Sequence, residues 1–125
     1  MMNTSRQQAL EESLTQSWDE VEAVYQEQAH RQAWAGHMLG MIQELRRRGY
    51  DHHLRAGHMS MTVVLSRLRT DGIQGVEAQL LFRLKPNGSM KIRYWEGQLI
   101  EFEMPRIALT PEIQALLARL VRQPY

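Results

Sequence analysis

The hydrophobic period of the chain changes twice, and this constrains the fold more than any other feature. Up to Arg48 the apolar residues recur at helical spacing. From Met59 to Met104 they alternate with period two, and after Thr110 helical spacing returns. A helical start, a strand-rich middle and a helical end make an α+β fold with one apolar face per element. At 125 residues, 43% of them hydrophobic, the sequence suits one domain spanning 1–125 around one core.

The N-terminal stripe Leu10, Leu14, Trp18, Val21 and Tyr25 advances by four, four, three and four, one face of a helix that Thr4 or Ser5 can cap. Trp34, Met38, Met41 and Leu45 repeat that spacing with no proline between. One uninterrupted helix of about 45 residues would be roughly 65–70 Å long. The compact radius of gyration for this length is about 14 Å. The segment therefore either projects as one long helix and pairs with another copy, or breaks near Gln28–Gln32 into a helical hairpin. The hairpin is favoured. Arg46, Arg47 and Arg48 meet the negative end of the helix dipole, and Gly49 follows as a left-handed cap. Residues 51–57 read as a connector.

Four alternating segments then predict a four-stranded antiparallel meander, apolar on one side only. In His58–Arg69 the inward set is Met59, Met61, Val63 and Leu65. In Val76–Lys85 it is Val76, Ala78, Leu80, Phe82 and Leu84. Met90, Ile92 and Tyr94 follow, then Gln98, Ile100, Phe102 and Met104. A two-residue Asn87-Gly88 loop would set Leu84 against Lys91, an inward residue against an outward one. A three-residue loop Pro86-Asn87-Gly88 pairs Leu84 with Met90 and keeps the faces consistent. By the same reasoning Trp95-Glu96-Gly97 forms the next loop, which pairs Ile92 with Ile100 and puts Lys91 between Arg83 and Glu101. The last helix opens with Thr110 as N-cap, Pro111 at the first position and Glu112 at the positive end of the dipole. It buries Ile113, Leu116, Leu117, Leu120 and Val121, and Pro124 ends it.

Charge narrows the function. The net value is +1, yet residues 1–28 carry six acids against Arg6 alone, a net −5, while residues 29–69 carry seven arginines against Glu44 and Asp51, a net +5. Equal and opposite blocks can cancel within one molecule or across a dimer, which ranks self-complementarity above an acidic partner. The absence of cysteine excludes disulfides and thiolate chemistry and fits a reducing, cytoplasmic setting. No basic and apolar leader opens the chain, and no apolar run approaches the roughly 20 residues of a membrane span. Neither a leader nor a membrane partner is expected.

Chemistry-bearing patterns are weak. His30 and His37 lie about 10 Å apart on a helix, and His52, His53 and His58 do not follow a metal-ligand spacing, so no metal or other cofactor is expected. Glu101 and Glu103 share a strand face, but exposure beside Lys91 and Arg93 gives neither a raised pKa. Ser60 and Ser66 have no base placed beside them. The chain reads as a non-enzyme, and a small-ligand binder or enzyme ranks third, since it would need a concave site with convergent polar groups.

Second stands a nucleic-acid accessory protein using Arg46, Arg47, Arg48, Arg55, Arg67 and Arg69. Thirteen of the fifteen basic residues are arginine, which suits bidentate phosphate contacts. Against it, consecutive helical arginines point in different directions, and the acidic first helix repels a polyanion. First stands a self-associating protein–protein interaction module, a homodimer by default. Its candidate surface is Val64, Leu81, Arg93, Trp95 and Leu99 on the outward strand face, with Trp18 and Tyr25 on the first helix.

Overall fold

The structure is a computed structural model and describes residues 4–59, 61–67 and 78–123. Helix α1 (Thr4–Ala29) and helix α2 (Ala33–Arg47) form the predicted hairpin. The break needs no proline. The Gln28 carbonyl accepts from the amides of both Arg31 and Gln32, each at 2.9 Å, which turns the chain so the second apolar stripe folds back on the first. At the turn Tyr25 meets Trp34 edge-to-face, with centroids 6.4 Å apart. Gly49 adopts the left-handed conformation at φ 88° and ends α2, its amide donating to the Arg46 carbonyl at 2.9 Å. A single 3-10 turn, Tyr50–His52, follows. Helix α1 has already begun at Thr4, so Ser5 lies inside it and is not its cap.

Among the described residues the sheet has five strands, one more than the alternation predicted. They are β1 (Arg55–Met59), β2 (Thr62–Ser66), β3 (Gln79–Leu84), β4 (Met90–Trp95) and β5 (Leu99–Met104), antiparallel throughout and in sequential order. The extra strand comes from the expected connector. Met59 pairs with Thr62, three positions on in the sequence, so a hairpin stands where one strand was expected. This pairing joins positions of opposite parity. Met59 therefore turns to the outer face, where it is 54% exposed, while Val63 and Leu65 stay inward. Met61, at the reversal, is half-buried.

Further along, Leu84 pairs with Met90 and Phe82 with Ile92, as the three-residue loop requires, and Gly88 is left-handed at φ 88°. The next turn is displaced. Trp95 ends β4 opposite Leu99, the loop is Glu96-Gly97-Gln98, and Ile92 faces Phe102 in place of Ile100. A shift by two residues preserves the faces but moves the charges, so Lys91 lies opposite Glu103 and Arg93 opposite Glu101. Val76, Glu77 and Arg69 fall outside the described residues.

Helix α3 (Pro111–Val121) begins as predicted. The Ile113 amide donates to Thr110 Oγ1 at 3.4 Å, and Ile113, Leu116, Leu117 and Leu120 are buried. Pro124, assigned as its end, lies outside the described residues. The inward residues of β2 to β5 join Trp18, Val21, Tyr25, the α2 stripe and the α3 stripe in one core cluster. The helices thus cover a single face of the sheet.

Helix α1 also runs along the β1 edge. Ser17 Oγ accepts from the Ala56 amide at 3.0 Å and donates to the Leu14 carbonyl at 2.6 Å. Trp18 Nε1 donates to the Leu54 carbonyl at 2.8 Å. A bare edge would offer its unpaired amides to any passing strand, and here the Ser17 hydroxyl takes up that of Ala56. No helix among the described residues is long and apolar enough to cross a membrane.

Candidate functional site

The face of the sheet opposite the described helices is organised in rows set by the strand register. Across the middle run Gly57, Val64, Leu81, Arg93 and Glu101. The row toward the β4–β5 turn holds Arg55, Ser66, Gln79, Trp95 and Leu99, of which Arg55 and Ser66 are buried, and the opposite row holds Met59, Thr62, Arg83, Lys91 and Glu103. Val64 and Leu81 are adjacent and half-buried. Trp95 and Leu99 are adjacent, 39% and 50% exposed, and Trp95 lies diagonally from Leu81 within reach of its aromatic ring. None of these four belongs to the core cluster. The pairing brings together five of the seven residues singled out for a protein interface: Val64, Leu81, Arg93, Trp95 and Leu99. The other two, Trp18 and Tyr25, are wholly buried in the protein's own core and form no surface.

The face carries a charge gradient from β3 to β5. Arg93 meets Glu101 at 2.9 Å, Lys91 meets the same carboxylate at 3.0 Å, and Lys85 holds Glu103. The hydrogen bond and charge of Lys85 hold the Glu103 carboxyl below its ordinary pKa. Arg83, exposed in the same row as Lys91, has no carboxylate partner among the described residues.

The turn at Trp95 is held through Glu96. The carboxylate of Glu96 accepts from the Tyr94 hydroxyl at 2.5 Å and from Gln123 Nε2 at 3.0 Å, and it pairs with Arg119. The Arg119 guanidinium also lies 5.3 Å from the Tyr94 ring centroid. The turn that presents Trp95 is thus tied to the C-terminal end of α3 through the residue next to it. Sequence reading missed Glu96, since its three partners are non-local and only adjacency to Trp95 pointed to it. No protein-family model, no curated protein and no solved structure matches this chain.

The arginines proposed for nucleic acid are dispersed. Arg46 is held between helices by Asp19 at 2.8 Å, Asp51 at 3.2 Å and Glu22 at 3.4 Å. Arg47 and Arg48 both pair with Glu44. Arg55 is buried and donates to Ser13 Oγ at 2.8 Å. Arg67 donates to the carbonyls of His53 and Gln123 at 2.6 and 2.9 Å. Arg69 lies outside the described residues. The opposite charge blocks therefore meet inside one molecule, with Arg46 as the main junction. His52, His53 and His58 are exposed, and among the described residues no three histidines or carboxylates converge on a metal-sized space.

Proposed function

We propose that this protein is a small non-catalytic interaction module that self-associates through the sheet face opposite its helices. One observation carries the reading. The three described helices cover one face, and the other presents Val64, Leu81, Trp95 and Leu99 on successive strands. An aromatic side chain on a half-apolar face is the composition of an interface centre. A second copy fits the charge layout, because the cations of β3 and β4 and the acids of β5 lie side by side on this face. A two-fold rotation brings each toward its opposite, as an isologous contact requires. The nucleic-acid reading has less to draw on, with Arg46, Arg55 and Arg67 engaged within the fold.

Sedimentation over a range of concentrations tests the proposal. The native chain should associate reversibly, and Trp95→Glu or Leu81→Glu should leave a folded monomer. A native chain that stays monomeric at the highest concentration, or a dimer indifferent to both substitutions, overturns it.

A further inference from the structure

The two edges of the sheet differ. At β1 the Ser17 hydroxyl takes up the Ala56 amide. At β5 the sheet ends, and the backbone groups directed away from β4 have no partner among the described residues. Hydrogen-bond alternation identifies those groups. Glu96 donates its amide to the Gln98 carbonyl at 3.3 Å, so alternation along the ladder makes Tyr94–Ile100, Ile92–Phe102 and Met90–Met104 the bonded pairs. The preceding hairpin gives the same phase. Lys85 donates to the Ser89 carbonyl at 2.8 Å, so β3 and β4 bond through odd-numbered residues and leave the even-numbered residues of β4 for β5. The amides and carbonyls of Leu99, Glu101 and Glu103 therefore point outward from the edge. Three devices that blunt a bare edge are missing here, since β5 has no proline, no bulge and no inward charge.

The side chains of β5 select what the edge accepts. On the helix side, Leu80, Phe82, Ile92 and Tyr94 are fully buried, whereas Ile100 and Phe102 are only half-buried. The apolar layer thus ends at β5 incompletely covered. On the other side, the exposed Glu101 and Glu103 follow the cations of β4, and the sign of charge alternates from strand to strand. We infer that β5 receives an extended segment of a partner protein as an added antiparallel strand, with Lys or Arg opposite Glu101 and Glu103 and apolar residues beside Ile100 and Phe102. A second copy fits this edge poorly. Consistent faces require pairs of equal parity, and every such register that overlaps most of β5 sets one glutamate against another. The inference stands apart from self-association, because it rests on the backbone of the β5 edge and not on the apolar side chains of Val64, Leu81 and Trp95.

The test uses the intact chain and a fluorescein-labelled synthetic peptide in which Lys alternates with Val and Ile, read by anisotropy. Binding should saturate. In an antiparallel pair the lysines opposite Glu101 and Glu103 turn their own amides toward β5, so N-methylation at the lysines should weaken binding by about tenfold or more. N-methylation at the apolar residues, whose amides point away, should leave it unchanged. On the protein, Glu103→Pro removes an outward donor and a charge without touching the β4 ladder, and should likewise cost about tenfold or more. Circular dichroism checks that this variant folds. Glu103→Gln, which keeps the amide, should cost only about two- to threefold. Trp95→Glu should leave peptide binding unchanged, so this inference and the self-association reading fail separately. The proposal is overturned by a lack of saturation, by equal effects of the two methylated peptides, or by indifference to Glu103→Pro. Equal binding of a peptide with Glu in place of Lys does so too. A native dimer that Glu103→Pro disperses would assign the edge to a second copy, and that result also overturns it.

Discussion

Tyr25 offers the most quantitative test of the packing. Its ring is fully buried on α1 against Trp34, and its hydroxyl has no hydrogen-bond partner among the described residues. Burial alone pushes the phenol pKa up to about 12, against about 10 in an unfolded chain. The folded state therefore holds this proton more tightly than the unfolded state does. The resulting stability is complete below pH 10 and is lost as pH rises toward 12. Two pKa units amount to about 2.7 kcal/mol once the loss is complete above pH 12. Tyr25→Phe removes the titrating group and its pH dependence together. At pH 7 the substitution should be neutral or stabilising by up to about 1 kcal/mol, since relief of an unpaired hydroxyl is partly offset by the small void left behind. The assay is urea unfolding of both proteins at several pH values between 8 and about 12. Other titrating groups cancel in the difference, so the Phe variant should gain on the native chain by about 2.3 kcal/mol by pH 12. Parallel stability curves would refute the reasoning, as would a variant destabilised by several kcal/mol at neutral pH.

Ser17→Ala deprives the Ala56 amide of its acceptor at the β1 edge and should cost about 1–3 kcal/mol in denaturant unfolding, with faster hydrogen exchange at Ala56. Arg46→Met leaves the nearly buried Asp51 carboxylate without its arginine, for an expected loss of about 1–3 kcal/mol. Adding Asp51→Asn should recover part of that loss in thermal unfolding, and a strictly additive double variant would show that the pair is not coupled.

How much of the fold was legible depended on the loop between each pair of strands. The three-residue loops at Pro86–Gly88 and Glu96–Gln98 join positions of equal parity. The buried layer of Phe82, Ile92 and Phe102 was therefore correctly assigned even though the second turn was displaced by two residues. The pairing of Met59 with Thr62 inverts parity, and the alternation of Met59, Met61, Val63 and Leu65 mimics one unbroken strand. With Gly57 and His58 between, Arg55–Met59 carries little strand signal of its own. It is held by pairing with β2 and by the Ser17 hydroxyl 39 positions away. The candidate face was legible for the same reason as the sheet, and the misplacement of Trp18 and Tyr25 shows where periodicity stops. A helical stripe declares that it will be buried, but not whether its own chain or another copy will bury it.

Sequence alone determined the two periodicities, the left-handed glycines at positions 49, 88 and 97, the N-cap of α3 and the near-cancelling charge blocks. Each of these is a local or additive property of the chain. Only the tertiary structure decided that the blocks meet at Arg46, that Ser17 of α1 caps the Ala56 amide at one sheet edge, and that Glu96 ties the β4–β5 turn to α3. Those outcomes depend on which distant residues come within a few ångströms of each other. Side-chain chemistry supplies the candidates for such contacts, and the closing of loops between elements selects among them.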